Sequence, residues 1–182
     1  MNGHDELLLR DLFRLKRTLR TGWLHVGVER PESVADHTFG TAILAWRIAR
    51  DVSGVDAARV VLLCLLHDFH EARLGDIPSP AKPFFAAGAL EAAERRIIAD
   101  QWSADVDSRA LAEEFLAGDT EEAKLARAID HLEFVLQARE YRRAGHVLTD
   151  VMLERAKAGP AYAHPATRVW IERSESAAER DR

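Results

Sequence analysis

The feature that most constrains this chain is a run of seven apolar residues, Val60-Val61-Leu62-Leu63-Cys64-Leu65-Leu66, followed at once by His67-Asp68. A helix that is apolar on every face belongs in the centre of a core. The run therefore carries an imidazole and a carboxylate to the end of a buried helix. Burying such groups is costly unless they find partners, and a divalent cation would satisfy both. Taken alone, the pair could equally be a helix end hydrogen-bonded at the surface. Glu71 shifts that balance. It lies four residues after His67 and three after Asp68, so all three can share one side of a continuing helix. A carboxylate beside an activated water suits general acid–base work.

The rest of the chain reads as helices broken by short turns, with no sustained strand alternation. Leu8, Leu12, Leu15 and Leu19 mark one face of a helix over 5–20. Residues 21–32 contain two glycines and a proline and read as a loop. Ser33-Val34-Ala35-Asp36 is a capping box with Asp in place of Glu, opening a helix to about Asp51. Asp56 caps the next helix, expected to continue to Gly75. Pro78, Pro80 and Pro83 rule out a continuous helix over 75–83. Helices are expected over 87–103 and 106–117, and a long one capped by Asp119 or Thr120 runs to about Arg143. Its buried stripe is Leu125, Ile129, Leu132 and Leu136. Gly145 and Gly159-Pro160 bound a shorter helix, 165–178 forms the last, and residues 179–182 should fray. The fold class is all-α: a single helical domain over 1–182, with a core over about 7–172 and about seven or eight helices.

Composition narrows the function. A formal net charge of −5 argues against a nucleic-acid polymer as partner, though a local basic pocket for one phosphate is compatible with it. The single cysteine, Cys64, lies inside the apolar run and reads as a small buried hydrophobe. No basic region precedes an apolar stretch at the N-terminus, and no run approaches membrane-spanning length. The expectation is a cytoplasmic protein without a membrane partner.

Two further candidate ligands lie far from His67-Asp68. His37 follows the capping box, with Gly40 and Ala42 nearby to admit another helix closely. Asp130 sits on the shoulder of the stripe that contains Ile129. Either residue alone would read as structural. Two imidazoles and two carboxylates in the order His, His-Asp, Asp suit a divalent ion such as Co, Mn, Ni, Fe or Zn.

This order resembles the H…HD…D signature of the HD superfamily. Arg20-Thr21-Gly22-Trp23, Arg30-Pro31-Glu32-Ser33-Val34-Ala35-Asp36-His37, His67-Asp68-Phe69-His70-Glu71 and Gly75-Asp76-Ile77-Pro78 resemble the YfbR-like 5'-deoxynucleotidases, over residues 7–172. The resemblance implies an HD-domain bundle and a metal-dependent hydrolase that releases phosphate from 2'-deoxynucleoside 5'-monophosphates. It implies that His37, His67, Asp68 and Asp130 bind one divalent metal ion, with Mg added to the ions above. It implies that Glu71 is the catalytic carboxylate acting on the attacking water. Asp76 would contact the sugar or protonate the leaving oxygen. Arg20 and Trp23 would line the nucleotide pocket, Arg20 pairing with phosphate and Trp23 offering a stacking face, although a core Trp is the commoner use of that residue. Lys82 is a candidate phosphate contact or an ordinary loop lysine. The family also forms homodimers, which a residual apolar helix face could serve.

His70 is the only histidine between Asp68 and Asp130, and its spacing puts it on another face from Asp68. That argues against the extra ligands of two-metal HD enzymes. His70 and His131 are departures from the family pattern. Two alternatives stand beside the main reading: an HD phosphohydrolase acting on a nucleoside triphosphate or a guanosine alarmone, and a non-catalytic nucleotide-binding HD protein. The presence of Glu71 and Asp76 weighs against the latter.

Overall fold

A computed structural model describes residues 3–180, with the side chains of 177–180 left undescribed. Among these residues eight helices have eight or more residues: α1 Gly3–Leu15, α3 Val34–Ala49, α4 Ala57–Leu66, α6 Ala89–Gln101, α7 Val106–Ala117, α8 Glu121–Arg143, α9 Thr149–Ala156 and α11 Pro165–Arg180. Single turns add α2 Thr21–Leu24, α5 Glu71–Leu74 and α10 Pro160–Ala163, and a 3-10 turn spans Lys82–Phe84. The all-α class expected from periodicity is what the chain adopts. Two of the expected sites of fraying, Asp181 and Arg182, lie outside the described residues, as do Met1 and Asn2; α11 extends through Arg180.

The helix starts follow from their caps. The Ser33 hydroxyl accepts from the Asp36 N–H (3.1 Å) and the Asp36 carboxylate accepts from the Ser33 N–H (2.9 Å), closing the box that starts α3. Asp56 accepts from the N–H groups of Ala58 and Arg59, and Thr120 from that of Ala123. Helices α3, α4 and α8 form the centre. Val60, Leu63 and Cys64 of α4 pack with Ala45 and Ile48 of α3 and with Leu125, Ile129 and Leu132 of α8, all buried. The Cys64 thiol, pushed up by burial, is part of this core.

Three boundaries differ from the sequence expectation. Helix α1 ends at Leu15 rather than at 20, because the chain turns and Leu19 forms an isolated antiparallel bridge with Ser33. Leu19 therefore leaves the expected stripe and is exposed, and so is Leu12 within α1. The expected loop over 21–32 contains α2. The helix expected from Asp56 to Gly75 breaks at residues 67–70, where turns replace it. The Cys64 carbonyl, which would receive the Asp68 N–H in a continuous helix, accepts instead from His67 Nδ1 (2.7 Å) and Thr41 Oγ1 (3.3 Å). His70 Nδ1 likewise donates to the His67 carbonyl (3.1 Å). The histidines that give the segment its chemistry also end its helix.

Candidate active site

The break in α4–α5 lies where α3 and α8 cross it. His37 comes from the first turns of α3, His67 and Asp68 from the end of α4, and Asp130 from the middle of α8. Their polar atoms converge. His37 Nε2 is 3.0 Å from Asp130 Oδ1 and 3.9 Å from Asp68 Oδ2. His67 Nε2 is 3.1 Å from Asp68 Oδ2 and 3.7 Å from Asp130 Oδ1. His37, His67 and Asp68 each offer one ligand atom within 4.8 Å of the others.

His67 tests whether these residues fit a metal. Its Nδ1–H is committed to the Cys64 carbonyl, so in the neutral ring the lone pair sits on Nε2. That nitrogen is buried, is not aligned to hydrogen-bond with the carboxylates beside it, and has no hydrogen-bond partner. A lone pair held at a cluster of carboxylates is what a divalent cation requires.

Without an ion, a proton takes the place of that cation. Burial opposes charge on His67, yet Asp68 and Asp130 raise its pKa well above the ordinary value. Burial and Arg20 act against His37, but its bonds to Asp130 and Glu133 raise it. Burial would raise both carboxylates, but the imidazoles hold Asp68 and Asp130 below the usual range, with Arg20 assisting at Asp68. Arg20, its burial outweighed by Asp68, Asp130, Glu71 and Asp76, is held firmly protonated, and its Nη1 donates to Asp68 Oδ2 (3.3 Å). One guanidinium thus faces four carboxyl groups.

Glu71 begins α5 rather than continuing α4, and it still faces the cluster. Its Oε2 is buried without a hydrogen-bond partner. Burial, then Asp68 and Asp76, push it up to about 10. Asp76 is held by Thr21, whose N–H (2.5 Å) and hydroxyl (2.6 Å) both donate to Oδ2. Arg20, Asp68, Glu71, Asp76, Lys82 and Asp130 all line one cleft of about 650 Å³. Phe134, Val26, Val151 and Met152 form its apolar side, with Arg155 on its lining and exposed.

Trp23 is among the residues that line the cleft, as expected, but it offers that cleft little surface. It is 1% exposed, with Phe134 stacked on it at 4.9 Å and Tyr141 edge-on at 5.1 Å, and its Nε1 donates to Glu32 (2.9 Å). With Phe134 stacked on one face and almost no exposed surface, it supports that ring rather than offering an open platform. Lys82 is exposed at the rim. His70 is buried and faces Glu94 at 3.9 Å, outside the cleft lining. His131 lines the cleft, and a Cβ at Gly159 would overlap its ring.

Glu133, Phe134, Met152 and Arg155 were not singled out from sequence. Glu133 had a legible signal: it lies three residues after Asp130, on the same face of α8. Its carboxylate meets His37 Nδ1 at 2.5 Å. Glu32, close to Glu133 and His37, is pushed up to about 7 by burial and by Glu133.

Comparison with known proteins agrees with this architecture. An HD domain model matches residues 12–166. The 5'-deoxynucleotidase hdd1 of Schizosaccharomyces pombe is 31% identical over 88% of this chain and 83% of its own length. The human 5'-deoxynucleotidase HDDC2 is 36% identical over 76% of this chain and 68% of its own. Among solved structures, a conserved hypothetical protein from Pyrococcus furiosus superposes with a TM-score of 0.75 at 27% identity, covering 93% of this chain and 98% of the other. A predicted metal-dependent phosphohydrolase from Magnetospirillum magnetotacticum gives 0.64 at 25% identity, covering 94% and 93%. The chain belongs to the HD-domain family, within its 5'-deoxynucleotidase group.

Proposed function

We propose that this protein hydrolyses 2'-deoxynucleoside 5'-monophosphates to deoxynucleosides and phosphate. The observation that carries this reading is the pair His67 Nε2, beside Asp68, and Glu71 Oε2, on the cleft lining, two buried polar atoms without hydrogen-bond partners. Buried polar atoms are rarely left unmet unless a ligand meets them. His37, His67, Asp68 and Asp130 would hold one divalent ion. When bound, that ion supplies Lewis-acid polarisation of the phosphoryl group.

The chain's own residues account for the remaining steps. In its ionised form Glu71, whose buried Oε2 has no hydrogen-bond partner at the cleft, takes a proton from the attacking water and holds it beside the phosphate. Arg20 remains charged throughout and offsets the charge that builds on the phosphoryl oxygens. Asp76 has Oδ2 saturated by Thr21, so Oδ1 accepts from a sugar hydroxyl. Of the two roles open to Asp76, the sugar contact fits better. Phe134, Val26 and Met152 give the base an apolar wall. Lys82 and Arg155 are the remaining cleft-lining cations, too few to favour a triphosphate.

Release of inorganic phosphate from paired ribo- and deoxyribonucleoside 5'-monophosphates, with added Mn, Co, Mg or Zn, tests the reading. Deoxy substrates should turn over faster. Tripolyphosphate released from a triphosphate would replace the reading with the triphosphohydrolase, and nucleotide binding without turnover under every metal would replace it with the binding protein.

We place the protein in the cytoplasm as a homodimer. Phe39, Ile43 and Trp46 on α3, with Leu62 and Leu65 on α4, are exposed and form the apolar face that supports pairing. Light scattering should give twice the chain mass, and Ile43→Lys should halve it.

A further inference from the structure

Helices α3 and α8 meet through two matched pairs, each three residues apart. His37 faces Asp130 and Glu133, while Gly40 faces Glu133. The Glu133 carboxylate lies 2.5 Å from His37 Nδ1, and both side chains are buried. A Cβ at Gly40 would lie 3.0 Å from Glu133 Oε1 and 3.3 Å from its Cγ, so the glycine makes room for this carboxylate. Glu133 does not line the cleft. Its reach to the site runs through the imidazole.

We propose that Glu133 is a positioning residue: it accepts the Nδ1–H of His37 and so presents Nε2, with its lone pair, to the metal. This rests on the assignment of His37 as a ligand. A carboxylate behind a ligating imidazole sets the tautomer, fixes the ring and increases its basicity. His67 uses a different support, the Cys64 carbonyl. The two ligating rings are thereby held by one charged and one neutral acceptor.

Glu32, His37 and Glu133 also lie close enough to suggest a second cation site. The 2.5 Å contact leaves no space for an ion between His37 Nδ1 and Glu133, so a hydrogen bond is the better reading.

The test is Co(II) titration of metal-stripped protein by equilibrium dialysis, with the visible Co(II) spectrum recorded alongside and folding checked by circular dichroism. Wild type should bind one Co(II) per chain. Glu133→Ala should weaken binding about 10- to 100-fold. Glu133→Gln, which keeps shape and an acceptor, should fall between the two and alter the visible bands. Gly40→Ala removes no polar group, yet should weaken binding in the same direction by pressing on Glu133. Wild-type affinity and spectrum in both Glu133→Gln and Gly40→Ala would overturn the positioning role. A second Co(II) equivalent, lost in Glu133→Gln, would overturn it in favour of a second site. His37→Ala separates the two levels. If it binds Co(II) as wild type does, or if wild type binds none, the ligand assignment falls and this inference falls with it.

Discussion

Two buried charged clusters flank the segment from α4 to α5, and they differ in how their atoms are satisfied. On one side Asp11, only 2% exposed, accepts from Arg73 Nε (2.5 Å), Gln101 Nε2 (3.1 Å) and Arg14 Nη1 (3.3 Å). Arg73 also pairs with Asp100. Both Asp11 oxygens are met, and of the groups around them only Gln101 Oε1 lacks a partner. On the other side His67 Nε2 and Glu71 Oε2 are buried and unmet, and four carboxyl groups face one guanidinium. Burial of charge is common to both, so burial does not mark function. The charged groups differ in their partners: the first cluster satisfies its carboxylate and ties α1, α5 and α6 together, while the second leaves a ring nitrogen and a carboxyl oxygen unmet.

The largest effect that would break this contrast is catalytic. Glu71→Gln should lower kcat by about 10²- to 10⁴-fold with metal content unchanged, measured by phosphate release and elemental analysis. Near-wild-type turnover would return Glu71 to a structural role. Next comes stability on the opposite side. Arg73→Ala leaves Asp11 buried with fewer donors and should cost about 3 kcal/mol in urea unfolding, with kcat unchanged where the protein is folded.

A smaller effect sharpens the comparison through pH. The carboxylates raise the pKa of His37 and His67, so protons compete with a cation for these rings near neutrality. Co(II) or Mn(II) affinity should therefore increase as pH rises, by up to about tenfold per unit for each proton displaced, and level off once both rings are neutral. Affinity that is flat with pH would exclude these imidazoles as ligands.

The smallest effect has the opposite sign to the Arg73 result. Glu71 has a folded pKa of about 10 against an ordinary 4.5, so the fold binds its proton more tightly than the unfolded chain does. Its contribution to stability is present at low pH and is lost as pH rises from about 4.5 towards about 10. Metal-stripped Glu71→Gln should thus be more stable than stripped wild type at pH 8 and little different at pH 4. A destabilised variant at pH 8 would mean that Glu71 is as well satisfied as Asp11.

Legibility in the sequence followed the range of the interaction. The capping box at Ser33, the caps at Asp56 and Thr120, and the stripe of α8 involve groups a few residues apart, and they appear where expected. The apolar run ending in His67-Asp68 marked the core and the site, although only Val60, Leu63 and Cys64 are buried while Leu62 and Leu65, expected inside, are exposed. The extent of α4 was misread, since the side chains of His67 and Thr41 take a carbonyl that helix periodicity assigns to the backbone.

Local pattern thus determined the helical class and the capped helix starts, and the resemblance to the HD signature supplied the four candidate ligands. Tertiary packing decided which partners those ligands have: Glu133 behind His37 at a separation of 96 residues, Arg20 beside Asp68 at 48, and Arg73 on Asp11 at 62. It also stacked Phe134 on Trp23. Periodicity can say that a side chain points inward. Only the crossing of helices distant in sequence settles what it meets there, because the energy of a buried charge depends on the groups within a few ångströms and not on its neighbours along the chain.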